Sequence, residues 1–249
     1  MQKLIVLFGI IFFSSSLFAG TRDPRVSDQT HLDYAKAFIF VGKLHGDAEN
    51  DIKYCGSAVA IDDHHILTAA HVVDNSLNCH FEIDGKNFCI THVIIHKDFD
   101  AKKWGTGDIA IGYSEKPFNL EFYPKLYTED NEVGKTCSIA GYGFTGTFIT
   151  GANLHDDQKR AGSNIIDGIT HDLLVCDASN GTSDDISTTL EFLIASGDSG
   201  GCLLINNQLA GINSCVMSID KSPQSKYNEE SGHTRISKFI DWINKNKRK

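Results

Sequence analysis

The chain has 249 residues, of which 41% are hydrophobic and 15 are Phe, with a net charge of −9. That is enough apolar material for the core of one large domain or two small ones. Apart from the short run Lys245-Asn246-Lys247-Arg248-Lys249 there is no basic stripe. The charge balance therefore argues against a nucleic-acid partner, and the run reads as a helix end, where cations are favoured.

Residues 1–19 read as a secretory signal, with Lys3 as the positive region, Leu4 to Phe13 as the apolar stretch and Ser14 to Ala19 as the small-residue exit. Cleavage is expected after Ala19. The apolar run is too short for a comfortable membrane span and no later run approaches one. The expectation is a secreted or periplasmic protein, soluble and monomeric, with no membrane association once the signal is removed.

From Thr21 to Asp33 the chain is polar and carries Pro24, which reads as an extended lead-in. Short apolar runs with turn residues between them follow: Ala37–Leu44, Ser57–Ile61, His65–Thr68, Cys79–Ile83, Phe88–His96, Asp108–Tyr113 and Thr136–Tyr142. The pattern continues through Leu173–Cys176, Leu190–Ala195, Cys202–Ile205 and Leu209–Cys215. Many strand-length runs without sustained helical periodicity predict an all-β barrel or sandwich. Asp84-Gly85 and Asn206-Asn207 mark tight hairpins. Only Ser237–Lys247 reads as a full helix, with Ser237 as its cap and an apolar face of Phe239, Ile240, Trp242 and Ile243.

The most informative stretch is Ser196-Gly197-Asp198-Ser199-Gly200-Gly201-Cys202. Glycines beside a serine let a substrate backbone approach and let main-chain N–H groups point at a developing oxyanion. Serine is a weak nucleophile unless a base and an orienting group accompany it. His71, in Thr68-Ala69-Ala70-His71, and Asp108, in Gly107-Asp108-Ile109-Ala110, lie upstream in the order His, Asp, Ser.

These motifs together resemble the chymotrypsin/trypsin-like serine proteases from about Phe38 to the end of the chain. Cys55-Gly56-Ser57, Val93 to Phe99, Ser138 to Gly143, Gly211-Ile212-Asn213-Ser214 and the tail Thr234 to Ile243 add to the likeness. The resemblance implies two antiparallel six-stranded β-barrels with the active site between them and a C-terminal α-helix outside. The first barrel would span about 34–120, the second about 121–236 and the helix 237–247, with the crossover near Glu115–Tyr127. It also implies a serine endopeptidase acting on proteins or peptides through a His71–Asp108–Ser199 triad, with no metal or organic cofactor.

By the same resemblance the N–H groups of Gly197 and Ser199 form the oxyanion hole, and Ser214 bonds to Asp108. Asp198 would shape the oxyanion loop through an ion pair with a new N-terminal amine. Arg25-Val26 is one candidate cut for exposing it, and an active form beginning at Gly20 or Thr21 would rule that cut out. Leu193 falls where trypsin-type members carry a pocket-floor carboxylate, so no preference for Lys or Arg is expected. Val216 narrows the pocket wall and Ser231 or Gly232 faces it, depending on a one-residue gap, which favours small or medium uncharged side chains before the cut.

Seven cysteines follow the signal: Cys55, Cys79, Cys89, Cys137, Cys176, Cys202 and Cys215. An exported protein is expected to pair some of them, and Cys55 with Cys79 would clip the loop carrying His71. The family's usual cysteine after the histidine is replaced by Val72, and Cys202 is expected to pair or pack. Val93-Ile94-Ile95 places His92 and His96 on a strand and speaks against a zinc site. Two rivals remain: a non-catalytic binding protein on the same fold, and an esterase reading of Gly197-Asp198-Ser199-Gly200-Gly201. The second needs a β-α alternation that the chain lacks.

Overall fold

The computed structural model describes residues 20–48, 52–103, 105–178, 188–219 and 223–247. The signal assigned to 1–19 lies outside the described residues, as do 179–187 of the Ser/Asp/Gly-rich stretch and the last two residues of the basic tail.

Two strongly curved antiparallel sheets build the molecule, one from each half of the chain. In the first, seven strands run in the order Lys86–Cys89, His80–Ile83, Val41–Ala48, Ile52–Ala60, His65–Thr68, Ala110–Tyr113 and His92–Ile95. The second is ordered Arg160–Ile165, Thr136–Gly141, Cys202–Ile205, Gln208–Met217, Glu230–Arg235, Leu173–Asp177 and Gly168–Thr170, and Lys125–Leu126 pairs in parallel with Gln208–Leu209. Each is a half-closed barrel, so the two-barrel architecture holds while neither ring of strands is complete. A separate four-stranded sheet joins Gly151–Leu154, Thr145–Thr147, Thr21–Arg22 and Phe192–Leu193.

Local chemistry explains the hairpins. Asp84 and Gly85 take φ of 51° and 66°, and Asn206 and Asn207 take 49° and 61°. These are positive-φ turns whose twist matches the flanking strands. The expected run Phe88–His96 is divided, because strand Lys86–Cys89 ends before His92–Ile95 begins at the opposite edge of the sheet.

The polar lead-in is not extended throughout. Asp28–Ala35 forms a helix, α1, whose N-cap Ser27 accepts the Thr30 N–H at 3.3 Å. Only His31 and Ala35 of α1 are buried, so its apolar stripe is one side chain wide per turn. It packs on strand Arg160–Ile165 of the second barrel, where the His31 ring N–H donates to the Ala161 carbonyl at 2.9 Å. Arg160 forks onto Asp28 (2.7 Å) and Asp156 (2.7 Å) and fixes the helix there.

The other end of the chain goes to the opposite barrel. The terminal helix begins later than expected: Ile236–Lys238 is a 3-10 turn and the α-helix covers Ile240–Asn246. Ser237 does not cap it, because its hydroxyl donates to Glu132 at 2.9 Å. Ile243 and Phe239 enter the first barrel's core, and His96 packs edge-on against Phe239 and Trp242 at 4.9 and 5.1 Å between ring centroids. The crossover is anchored by Phe118, which is buried against Phe81 and Phe88.

All seven cysteines are free thiols. The expected Cys55–Cys79 clip is not formed: Cys55 is exposed on its strand opposite His45, whereas Cys79 is buried. Cys137 and Cys176 approach each other at 3.8 Å in the second core, and Cys202 packs without exposure.

Candidate active site

Strand pairing brings His71 and Asp108 together. Thr68 lies opposite Ala110, so the chain leaving His65–Thr68 and the chain entering Ala110–Tyr113 meet at the same end of the first barrel. His71 sits in the one-turn helix Ala70–Val73, and Asp108 follows Gly107. The Asp108 carboxylate accepts the His71 main-chain N–H at 3.0 Å and the ring Nδ1–H at 2.8 Å. Ser214, on strand Gln208–Met217 of the second barrel, donates its hydroxyl to the same carboxylate at 2.6 Å. Thr234 donates to the Asp108 carbonyl at 2.8 Å.

This arrangement fixes the imidazole tautomer. An ionised Asp108 only accepts, so Nδ1 carries the proton and Nε2 is left as the ring's acceptor. Burial works to raise the Asp108 pKa, but the facing His71 and the hydrogen bonds from His71 and Ser214 outweigh it. The carboxyl therefore lies below its ordinary value.

Ser199 belongs to the loop before strand Cys202–Ile205. Gly200, at φ 87°, lies so close to Ser57 that a Cβ there would stand 2.0 Å from the Ser57 carbonyl oxygen. Glycine is required at that position by both conformation and space. The amides of Asp198, Gly200 and Gly201 donate to the carbonyls of Ala195, Asn213 and Asp198 at 3.0, 2.8 and 2.8 Å. Among the described residues the Gly197 and Ser199 N–H groups have no protein acceptor.

Ser57 carries the loop across the barrel boundary. Its hydroxyl donates to the Gly197 carbonyl and accepts from the Tyr142 N–H, both at 2.9 Å. Asn213 supports the loop from behind, with its amide nitrogen on the carbonyls of Ala140 (3.1 Å) and Asp198 (3.2 Å). The Asn213 oxygen must then accept from His233 Nδ1–H at 2.9 Å, and buried, neutral His233 takes the Ser231 hydroxyl on Nε2 at 3.0 Å. Burial drives the His233 pKa down to about 3.

His71, Asp108, Ser199 and Ser214 line one cleft of about 280 Å³. Val216 lines it as well, but Leu193 and Ser231 do not. Leu193 pairs with Thr21 and packs against Phe148 and Ala178. Ser231 is turned toward His233 and the Cys176 carbonyl. The sequence reading did not anticipate Ile194, Ala195, Pro223 and Ser225 in the wall, nor the loop residues Phe99, Asp100, Ala101, Lys103 and Gly105 on the other side. Position relative to Ser199 and Asp108 was the available signal for Ile194, Ala195 and that loop. Pro223 and Ser225 arrive through a long-range contact, as the Ser225 hydroxyl donates to the Ile194 carbonyl at 2.8 Å. Asp100 and Lys103, the charged side chains on the loop side, pair with each other at 3.3 Å.

An imidazole held by a buried carboxylate lines the same cleft as a serine in a glycine-rich loop between two half-barrels, an arrangement chemically suited to hydrolysis of the serine-protease type. A sequence model of the trypsin family, described as Trypsin, matches residues 30–243. The chain belongs to that family and is, by membership, a serine endopeptidase. The fold is similar to that of mouse neuropsin, described as a serine protease expressed in the limbic system of the brain. The two superpose with a TM-score of 0.66 at 19% identity, over 84% of this chain and 94% of that one. A structure described as HL collagenase matches with a TM-score of 0.66 at 18% identity, over 84% and 93% of the two chains. Among the described residues no helix is long and apolar enough to cross a membrane.

Proposed function

We propose that this chain is an exported endopeptidase that cleaves peptide bonds through an acyl-enzyme on Ser199. The single observation carrying the reading is the chain of hydrogen bonds Ser214–Asp108–His71, which ends at an imidazole lining the same cleft as Ser199. Ser199 Oγ attacks the scissile carbonyl while His71 Nε2 takes its proton and then delivers it to the leaving amine. Asp108 holds the tautomer and stabilises the imidazolium. The Gly197 and Ser199 N–H groups receive the oxyanion, each such donor contributing about 3 kcal/mol in the transition state.

The substrate residue before the cut enters beside Ile194, Ala195, Val216 and Ser225, a wall without charge among the described residues. A small or medium uncharged side chain suits that wall. The protein works outside the cytoplasm as a monomer without cofactor. Cleavage of a peptide library, with fluorophosphonate labelling abolished in Ser199→Ala, tests the reading. Preferred cleavage after Lys or Arg would refute the specificity, and undiminished labelling of Ser199→Ala would refute the mechanism. Full binding of peptides without turnover would favour a non-catalytic protein.

A further inference from the structure

Imidazole and thiol side chains lie in one row across the first barrel. Strand pairing sets Cys89 opposite His80, His80 opposite His45, and His45 opposite Cys55. Residues directly opposite one another project from the same face of a sheet. That face is the outer one, because the neighbours Phe88, Phe81, Leu44 and Gly56 on the same strands are buried. The His45 and His80 rings stack at 5.7 Å between centroids and 21° between planes. Among the described residues no ring nitrogen of either histidine is hydrogen-bonded to a protein group.

Burial, and after it the neighbouring His80, lowers the His45 pKa. The ring is therefore neutral near pH 7 and its lone pair is free. Glu82 and Asp47 share this face and offset Lys43, which is itself bonded to Asp157 at 2.9 Å. Cys55 is an exposed free thiol. It lies within the long pairing of Val41–Ala48 with Ile52–Ala60, whereas Cys89 ends the edge strand Lys86–Cys89. His45 is thus flanked by a second imidazole on one side and a firmly placed thiol on the other. Two neutral imidazoles and a thiol are the donor set that zinc prefers.

Among the described residues no three such side chains converge on one point as they stand. Opposed Cβ atoms in a sheet are about 4.5–5.5 Å apart, so rotation of the side chains suffices and no strand has to move. The short Cys55 side chain is adjacent to the central His45, and His80 reaches across with its longer one. Bond lengths of about 2.0–2.1 Å to nitrogen and about 2.3 Å to sulfur are then attainable.

We propose that His80, His45 and Cys55 form a zinc site that clasps three neighbouring strands on the outside of the first barrel. The imidazoles bind through ring-nitrogen lone pairs. The Cys55 thiol releases its proton to solvent and binds as the thiolate, and a water completes the tetrahedron. No electron is transferred. None of the three residues lines the cleft, so the metal is structural and takes no part in the proposed reaction at Ser199. It joins strands His80–Ile83, Val41–Ala48 and Ile52–Ala60 in a protein whose thiols form no disulfide.

The test is titration of the exported protein with Zn²⁺ by calorimetry and with Co²⁺ by absorption. One Zn²⁺ per chain is expected, together with a thiolate-to-Co²⁺ charge-transfer band. His45→Gln and His80→Gln are each expected to weaken Zn²⁺ binding at least about 100-fold, the upper range for loss of a mere outer-shell partner. Cys55→Ser is expected to abolish the Co²⁺ band and Cys89→Ser to keep it. Undiminished Zn²⁺ binding in either histidine variant, or a band that survives Cys55→Ser, overturns the proposal. Binding is expected to persist in His71→Ala; loss there with retention in His45→Gln assigns the metal to the cleft and overturns the site.

A second readout is stability. Free Zn²⁺ at 100 times its dissociation constant is expected to raise the folded-to-unfolded ratio about 100-fold. The double variant His45→Gln/His80→Gln is expected to fold without zinc, both side chains being half-exposed, and to show no such rise. An equal rise in both proteins overturns the proposal.

Discussion

The Ser57 main-chain N–H donates to the Ser199 carbonyl at 2.8 Å, so a strand of the first barrel holds the loop of the second. The same residue's hydroxyl joins the Gly197 carbonyl to the Tyr142 N–H. Ser57 thus bonds at three places around the proposed nucleophile, with which it shares no strand.

Ser57→Ala keeps the main-chain bond and strips the hydroxyl, leaving a half-buried N–H and carbonyl without this partner. The expected cost is about 1–3 kcal/mol of stability. Because Gly197 is one of the two proposed oxyanion donors, kcat should fall while KM changes less. Thermal unfolding and steady-state kinetics on one peptide check both; an unchanged kcat would show that the hydroxyl does not hold the loop.

Replacing Ser199 or His71 by Ala is expected to lower turnover on the order of 10⁴–10⁶-fold. Ser214→Ala is a milder case, since it removes one of three donors from the Asp108 carboxylate. A loss of about tenfold in kcat/KM is expected, consistent with one hydrogen bond to a charged group. The Asp108 pKa should move upward as that donor is lost.

The two buried aspartates have opposite pH signatures. Asp108 is depressed in the fold, so its contribution is present above the unfolded carboxylate value of 3.8 and is lost as pH falls through the folded value. Asp198 beside an uncharged Gly20 amide is raised to about 7. Its folded form then holds a proton that the unfolded chain has released, and stability declines as pH rises from about 4 to about 7. Urea unfolding across that range should reveal the decline.

Arg160 is the clamp between α1 and the second barrel. The Arg160 hydrogen bond is the main force that lowers Asp156 to about 2, and it also lowers Asp28. Arg160→Met leaves two carboxylates without their shared cation, and a loss of about 3 kcal/mol is expected. Denaturant unfolding checks this, and the loss should shrink in Arg160→Met/Asp28→Asn.

Val216→Gly should open the cleft wall and admit larger apolar residues before the cut. The gain in kcat/KM for an aromatic over an alanine substrate is expected at about 10- to 200-fold, the range set by one or a few methylene contacts. An unchanged preference in library cleavage would mean that Val216 does not bound the pocket.

Much of this was legible because it is local. Asp84-Gly85 and Asn206-Asn207 announced their hairpins through backbone preferences alone. Helix α1 was not legible: its sequence is polar and buries only His31 and Ala35, so no periodic stripe marked it. Ser237 had the chemistry of a cap, yet Glu132, far away in sequence, took its hydroxyl. Leu193 and Ser231 were located by counting from Ser199 and from strand ends. Counting cannot reveal that Leu193 packs against Phe148 and Ala178, or that Ser231 bonds to His233, away from the cleft. Of the pocket residues that counting missed, Ser225 is held by long-range bonds from the Thr21 hydroxyl and to the Ile194 carbonyl.

The ends of the chain are exchanged between its halves: α1 precedes the first barrel but packs on the second, and helix Ile240–Asn246 follows the second but packs on the first. A protease nick in the Glu115–Tyr127 crossover would therefore leave two fragments strapped to each other rather than two free lobes. Neither fragment made by itself would have a covered core, so the halves should regain a working cleft only when refolded together.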